Sequence, residues 1–325
     1  MPRKELHDPP TAGVDFGGTK VEIAVVDHAG RVVSADRHPT AESRTPPRAV
    51  RRIAESLREL ERVGGRKVSA LGVGIAAQVR ADGTILHAPN LRWSGVPLAR
   101  RLRRVLRIPT LIVNDVQAVT FGEWKFGAGR GEADLLCVFV GTGVGGGLVV
   151  NGRLQRGAAG SAGEVGHLTI EVGGRLCTCG QRGHLEAYVG GWAIARRAQE
   201  AVRERPGAGR DLRRRAGSTA QITAETVAEA FHAGDRLAVR LVEETAEFLG
   251  VGLASAANLL GPGRIVLGGG VVDGIPELVA AVRPIVRRQA LESASAHLSI
   301  VPSRLGKVAG VIGAAALARE ILEPP

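Results

Sequence analysis

Three glycine-containing turns, one Asn-Asp pair and a Cys/His cluster carry most of the chemistry legible in this chain. In Asp15-Phe16-Gly17-Gly18-Thr19-Lys20 a carboxylate precedes a glycine pair, a hydroxyl and an amine. Glycines let backbone N–H groups approach a phosphate with no Cβ in the way. Thr19 adds a donor, and Asp15 can hold Mg²⁺ through water. Taken alone, the turn fits an ordinary hairpin as well as a phosphate site. Gly141-Thr142-Gly143-Val144-Gly145-Gly146-Gly147 repeats the logic after an apolar strand. No Gly-Lys-Ser/Thr closes it, so it is not a Walker A loop, and a strand and an Asn-Gly turn follow where a dinucleotide fingerprint needs a helix. Two Gly/Thr turns in separate blocks favour a two-sided phosphate clamp. Gly268-Gly269-Gly270, also after a strand, is a candidate for close approach to a base or ribose, or else a tight strand-to-helix turn.

Asn114-Asp115 ends the apolar stretch 110–113. A carboxylate at the C-terminal end of a strand faces the ligand crevice of an α/β fold, where it can take a proton from a substrate hydroxyl. The competing role is an aspartate N-cap for the helix from Val116, and the two can coexist. Further on, His167, Cys177, Cys179 and His184 place four borderline or soft ligands within 18 residues. Thiolates and imidazoles in a tetrahedron suit Zn²⁺, and four protein ligands make a closed, structural site. Glu164 and Glu186 flank the cluster; carboxylates pair well with sugar hydroxyls, and surface glutamates are equally often only solvated.

The elements that must position these groups alternate between strand and helix, which predicts an α/β fold. Strands are expected at 13–16 and 21–27 around the first turn, then at 68–75, 110–114, 135–140, 148–150, 264–267 and 298–301. Helices are expected at 46–63, where Val50, Ile53, Leu57 and Leu60 share one face, and at 98–106, 115–126, 190–204, 237–260, 276–288 and 310–321. The first twelve residues read as a loose polar tail, and 205–218 as a charged loop.

The chain has 325 residues, enough for about two domains, and 44% hydrophobic against 23% charged residues, which excludes wholesale disorder. No apolar run approaches the roughly 20 residues that span a bilayer. The net charge is +11, with 38 arginines and 5 lysines; the runs at 100–107 and 210–215 read as solvated faces rather than nucleic-acid contacts. Three cysteines, two of them in a C-x-C pair, do not form a secreted disulfide framework, and the N-terminus has no apolar signal core. The expected location is the cytoplasm.

The segments DFGGTK, HAPNLRW, VNDVQAVTFGEWKFGAGRG, FVGTGVGGGLVVNGRL, AGEVGH, CTCGQRGHLE and NLLGPGRIVLGGGV together resemble the ROK family of repressors, open reading frames and sugar kinases, and most of all its bacterial glucokinase branch. The resemblance runs from about Gly13 to Leu322. It implies the two-domain actin-like ATPase (ribonuclease H-like) fold, with a small domain at 13–116 plus 310–325, a large one at 117–309, and ATP and sugar in the cleft. It makes Asp115 the general base for a sugar 6-hydroxyl. It places Asn90, Asn114, Glu164, His167 and Glu186 on the sugar, with His167 also on zinc. Gly17, Gly18, Thr19, Gly141, Thr142 and Gly143 would hold phosphates, with Asp15 and Lys20 beside them and Gly268–Gly270 near the adenosine. Mg²⁺ is the expected catalytic ion, Zn²⁺ the structural one, and a homodimer or homotetramer the expected assembly, with neither nucleic acid nor membrane as partner. Two positions depart from the family pattern. His184 stands where a third zinc cysteine is usual, and Gly74-Ile75-Ala76-Ala77-Gln78-Val79-Arg80 replaces a G-x-P-G-x-V-D segment near the sugar. The alternatives within the resemblance are kinases for N-acetylmannosamine, N-acetylglucosamine, fructose or mannose, use of polyphosphate as donor, and a sugar-responsive regulator. A regulator needs a DNA-binding helix-turn-helix ahead of the kinase-like part, and about twelve residues are too few for one.

Overall fold

The computed structural model describes residues 9–205 and 207–322. Its first half contains β1 (Thr11–Phe16), β2 (Lys20–Val26), β3 (Val32–Pro39), α1 (Pro46–Gly64), β4 (Leu71–Ile75), the short strands β5 (Gln78–Val79), β6 (Ile85–Ala88) and β7 (Trp93–Val96), then α2 (Leu98–Leu106), β8 (Thr110–Asn114) and α3 (Asp115–Phe126). The second half adds β9 (Leu135–Val140), β10 (Val144–Val150), β11 (Arg153–Gln155), α4 (Glu186–Val189), α5 (Gly191–Glu204), α6 (Arg210–Ala216), α7 (Ala224–His232) and α8 (Arg236–Leu260). It closes with β12 (Arg264–Gly268), α9 (Gly270–Gly274), α10 (Glu277–Gln289), α11 (Glu292–Ser295), β13 (Ser299–Pro302) and α12 (Ala309–Glu320).

Two five-stranded mixed sheets have matching orders, β3-β2-β1-β4-β8 and β11-β10-β9-β12-β13. In each, the first three strands form an antiparallel meander and the last two run parallel to the first. Side-chain pattern explains why these segments pair: Val14, Phe16, Leu71, Val73 and Ile75 are buried in one sheet, and Leu136, Val138, Val140, Ile265 and Leu267 in the other. Helix α1 buries the apolar stripe Val50, Ile53, Leu57 and Leu60, as its 3.6-residue spacing requires. Helix α2 buries Leu98, Ala99 and Leu102 and leaves Arg100, Arg101 and Arg104 exposed.

Helices α3 and α12 join the halves. Helix α12, rich in Ala and Gly, is buried along Ala309–Ala318 and packs against β1, β4 and α3. Helix α3 in turn packs on β10 through the glycine run: a Cβ on Gly145 would stand 2.6 Å from Val116 Cγ2, and one on Gly147 would stand 2.1 Å from Thr120 Oγ1. Strand β10 begins at Val144, earlier than the expected 148, and two of the three glycines after it, Gly145 and Gly147, serve helix packing, while Gly146 lies against Gly163 and Val165.

Other expectations are corrected. Strand β1 starts at Thr11, whose buried side chain donates to Ala315 O at 2.9 Å, so residues 11–12 are sheet rather than tail; residues 1–8 of the expected tail lie outside the described residues. The segment 205–218 contains α6, because Asp211 in its first turn pairs with Arg214 and Arg215 one turn on. Helix α3 runs from Asp115 to Phe126 across the expected domain boundary at 116/117 and links the two halves there. Among the described residues no helix is long and apolar enough to cross a membrane.

Candidate active site between the two sheets

Strand ends and turns from both sheets line one cavity of about 300 Å³. Its walls include Asp15, Lys20, Asp115, Val116 and Val119 from the first half, and Phe139, Gly269, Asp273, Ser303, Gly306, Lys307 and Gly310 from the second half and α12. Asp115 stands at the first turn of α3, and the residue before it does the capping: Asn114 Oδ1 accepts from Val116 N at 2.9 Å and from Gln117 N at 3.3 Å. The N-cap role weighed for Asp115 thus falls to Asn114. Asp115 Oδ1 accepts from Val116 N at 3.0 Å. Burial pushes the Asp115 carboxyl above its ordinary range and the charge of Glu164 adds to this, against the lowering effect of the Val116 N–H.

Asp15, half-buried at the end of β1, has its carboxyl pushed up to about 6, first by burial and then by the negative charge of Asp115, with Lys20 pulling the other way. A buried carboxyl raised by a neighbouring carboxylate is the setting a divalent cation relieves. Lys20 Nζ lies 3.2 Å from Glu22 Oε2. The turn it follows leaves Gly18 and Thr19 exposed, is closed by Gly17 N donating to Lys20 O at 3.0 Å, and has Asn90 beside Gly18.

The second turn opens on another cavity, of about 490 Å³, lined by Gly141, Thr142, Gly191, Trp192, Thr223, Glu225, Gly270 and Val271 among others. The middle and last glycines of the third turn thus divide between the two cavities, Gly269 in the first and Gly270 in the second, while Gly268 is buried against Phe139 and Ser303. Gly191 N and Trp192 N donate to Gly141 O (2.9 Å) and Thr142 O (3.3 Å), which ties the turn to α5.

Glu186 is only 9% exposed. Its Oε2 accepts from Val144 N at 2.9 Å, and its Oε1 from Thr178 Oγ1 at 3.0 Å and Trp192 Nε1 at 3.3 Å. One carboxylate therefore links the Gly141–Gly143 turn to the Cys177–Cys179 loop, its oxygens committed to protein donors. Glu164 and His167 bracket a single helical turn and are exposed.

One ligand atom from each of His167, Cys177, Cys179 and His184 lies within 4.8 Å of the others. His167 Nδ1 is 3.2 Å from His184 Nδ1, and Cys179 Sγ is 3.2 Å from the same His184 atom. Cys177 Sγ is 4.0 Å from His167 Nδ1, so the group is somewhat wider than a tetrahedron with bonds of about 2.0–2.3 Å but close enough for the four residues to hold a metal ion. His184 lies within this group, and the 177–184 loop that carries it is closed by Cys177 N donating to Gln181 O.

Several cavity residues were not foreseen. Ser303 and Lys307 follow the C-terminal end of β13 as Asp115 follows that of β8, so the strand-end rule would have found them. Thr223 caps α7, a signal available in its Thr-x-x-Thr spacing. Trp192, Glu225 and Asp273 carried no such pattern.

The model of the ROK family matches residues 11–321. A glucokinase of Streptomyces coelicolor is 34% identical over 95% of this chain and 98% of its own length. A crystal structure of a ROK family glucokinase from Streptomyces griseus in complex with glucose and AMPPNP superposes with a TM-score of 0.83 at 35% identity, covering 96% of this chain and 99% of that one. The ROK hexokinase of Thermus thermophilus gives the same TM-score at 33% identity, covering 96% and 99%. On the match along nearly its whole length, this chain belongs to the ROK family.

Proposed function

We propose that the protein is an ATP-dependent glucokinase that transfers the γ-phosphoryl group of ATP to the 6-hydroxyl of glucose. The observation that carries this reading is the meeting of Asp115, Asp15 and Lys20 with the second half's Gly269 and Lys307 around one cavity. The Streptomyces relatives, a glucokinase and a glucokinase holding glucose and AMPPNP, support the choice of sugar and donor.

Asp115 is the general base. Burial raises its proton affinity, which brings a carboxyl closer to what a base needs near neutral pH. It takes the 6-hydroxyl proton as that oxygen bonds to the γ-phosphorus. The bond from phosphorus to the bridging oxygen breaks, and ADP leaves. Asn114 has spent its carbonyl on the helix cap; its amide, in a long 3.4 Å bond to Ala77 O, is available to a sugar hydroxyl. Glu164, His167 and Asn90 complete the sugar subsite. Glu186 joins them only by releasing Thr178 or Trp192. The Gly17–Thr19 and Gly141–Gly143 turns hold the phosphates, and the adenosine lies in the larger cavity by Gly270.

Asp15, facing Asp115, is the residue placed to hold Mg²⁺, which supplies charge neutralisation on the triphosphate. His167, Cys177, Cys179 and His184 would hold Zn²⁺, a closed set that supplies structural order and no open coordination position. Because His167 turns Nδ1 to the cluster, its Nε2 is free for the sugar, which couples the ion to substrate placement. The same reading takes 13–116 with 310–325 and 117–309 as domains that close on the ligands, a cytoplasmic location, and a homodimer or homotetramer.

The test is a coupled ADP-release assay over glucose, mannose, fructose, N-acetylmannosamine and N-acetylglucosamine, with ATP and with polyphosphate. Glucose with ATP should give the highest kcat/KM. A higher value for another sugar or for polyphosphate replaces that part of the assignment, and the absence of sugar-dependent ADP release overturns it.

A further inference from the structure

Lys307 has no part in the mechanism above. It lies in the segment 303–308 between β13 and α12, and it lines the same cavity as Asp15, Lys20 and Asp115. Its side chain is exposed and belongs to no ion pair among the described residues. Lys20, the other ammonium in that cavity, comes from the opposite half and is partly neutralised by Glu22. Lys307 is therefore the less compensated of the two cations, in a cavity whose three carboxylates, Asp15, Asp115 and Asp273, would repel a triphosphate.

The segment is held from below by a buried acid. Glu123, on α3 two turns beyond Asp115, is 0% exposed. Its Oε1 accepts from Arg304 N at 3.0 Å and Leu305 N at 2.8 Å, and its Oε2 from Ala128 N at 2.8 Å and Arg304 N at 3.2 Å. It belongs to no ion pair among the described residues. A carboxylate buried without a counter-ion is expensive unless N–H donors replace its water. Two of the three donors here belong to the segment that carries Lys307, so one rigid helix fixes both the general base and the lysine.

We propose that Lys307 is a further catalytic residue of the phosphoryl transfer, contacting the transferring group from the second half, and that Glu123 is its positioning residue. The proposal rests on the kinase reading. The hydroxyl proton goes to Asp115, the new oxygen–phosphorus bond forms, and the bond to ADP breaks. Lys307 keeps its own proton throughout and stabilises the charge gathering on the phosphoryl and leaving oxygens, an effect that grows in a water-poor cleft.

The experiment measures glucose and ATP saturation for the wild type, Lys307→Gln, Lys307→Arg, Glu123→Gln and the double variant Glu123→Gln/Lys307→Gln. A wild type with no glucose-dependent ADP release fails the kinase reading and the proposal with it. Given an active wild type, Lys307→Gln should lower kcat by roughly 10²-fold with the glucose KM nearly unchanged, the size seen for losing one preorganised donor. Lys307→Arg should recover part of that loss. Glu123→Gln should lower kcat alone but change little in the Lys307→Gln background. Near-wild-type kcat in Lys307→Gln overturns the catalytic assignment while leaving the kinase reading intact. An equal effect of Glu123→Gln in both backgrounds makes Glu123 merely structural.

Discussion

The two sheets are built on one plan and equipped differently. In each, the turn between the first two strands carries Gly and Thr, and the fifth strand ends at the cavity. Asp15 stands one residue before the end of β1, and Phe139 holds the same place in β9. Asp115 directly follows β8, and Ser303 directly follows β13. All four line the same cavity. At these matching positions the first half puts two carboxylates and the second an aromatic ring and a hydroxyl; a third carboxylate, Asp273, reaches the cavity from α9 of the second half. The turns differ too. Gly18 and Thr19 stand exposed, whereas the Gly141–Gly143 turn is tied to α5 and, through Glu186, to the Cys/His loop. Repetition of the backbone gives the two walls, and in the proposed mechanism the side chains divide the labour: acid–base chemistry on one wall, a braced nucleotide cradle on the other.

That division is tested first by treating equivalent positions alike. Asp115→Ala should cost roughly 10²–10⁴-fold in turnover, the usual worth of a general base, while Ser303→Ala stays near wild type in the same assay. Equal losses would erase the asymmetry. Next comes the bracing of the second half. Metal analysis should find zinc in the purified protein; His184→Ala should lose it and about 10–100-fold in activity, and His184→Cys should keep the metal. Full metal content in His184→Ala would remove it as a ligand. The smallest effect concerns Asp15. Its native carboxyl, near 6 against an ordinary 3.8, binds more protons folded than unfolded between those values, so its contribution to stability falls as pH rises through that window. Without Mg²⁺, Asp15→Asn should be more stable than the wild type at pH 7.5 by up to about 3 kcal/mol, and the gap should close towards pH 4. A pH-independent gap in thermal unfolding would show that the carboxyl is not perturbed.

Legibility in the sequence followed the strength of local pattern. Strand β8 and helix α3 have the bounds that 110–114 and 115–126 predicted, because an apolar run meets a capping residue there. Strand β3 was missed: it is an edge strand with most of its side chains exposed, so no apolar alternation marks it. Helix α7 and the short sheet β5-β6-β7 were missed as well; strands of two to four residues are too short to carry a period. The Cys/His cluster was legible because its ligands are close in sequence and rare in type. The inward turn of the Glu186 carboxylate was not, since its partner Val144 is 42 residues away. Glu123 was still less visible, holding backbone 181 residues further on.

The most direct test of the account is to compare binding with turnover in Asp115→Asn, a replacement that keeps the shape and removes the base. Glucose affinity measured by calorimetry should stay within about tenfold of the wild type while glucose-dependent ADP release falls by at least about 10². Turnover close to the wild type would contradict the central claim.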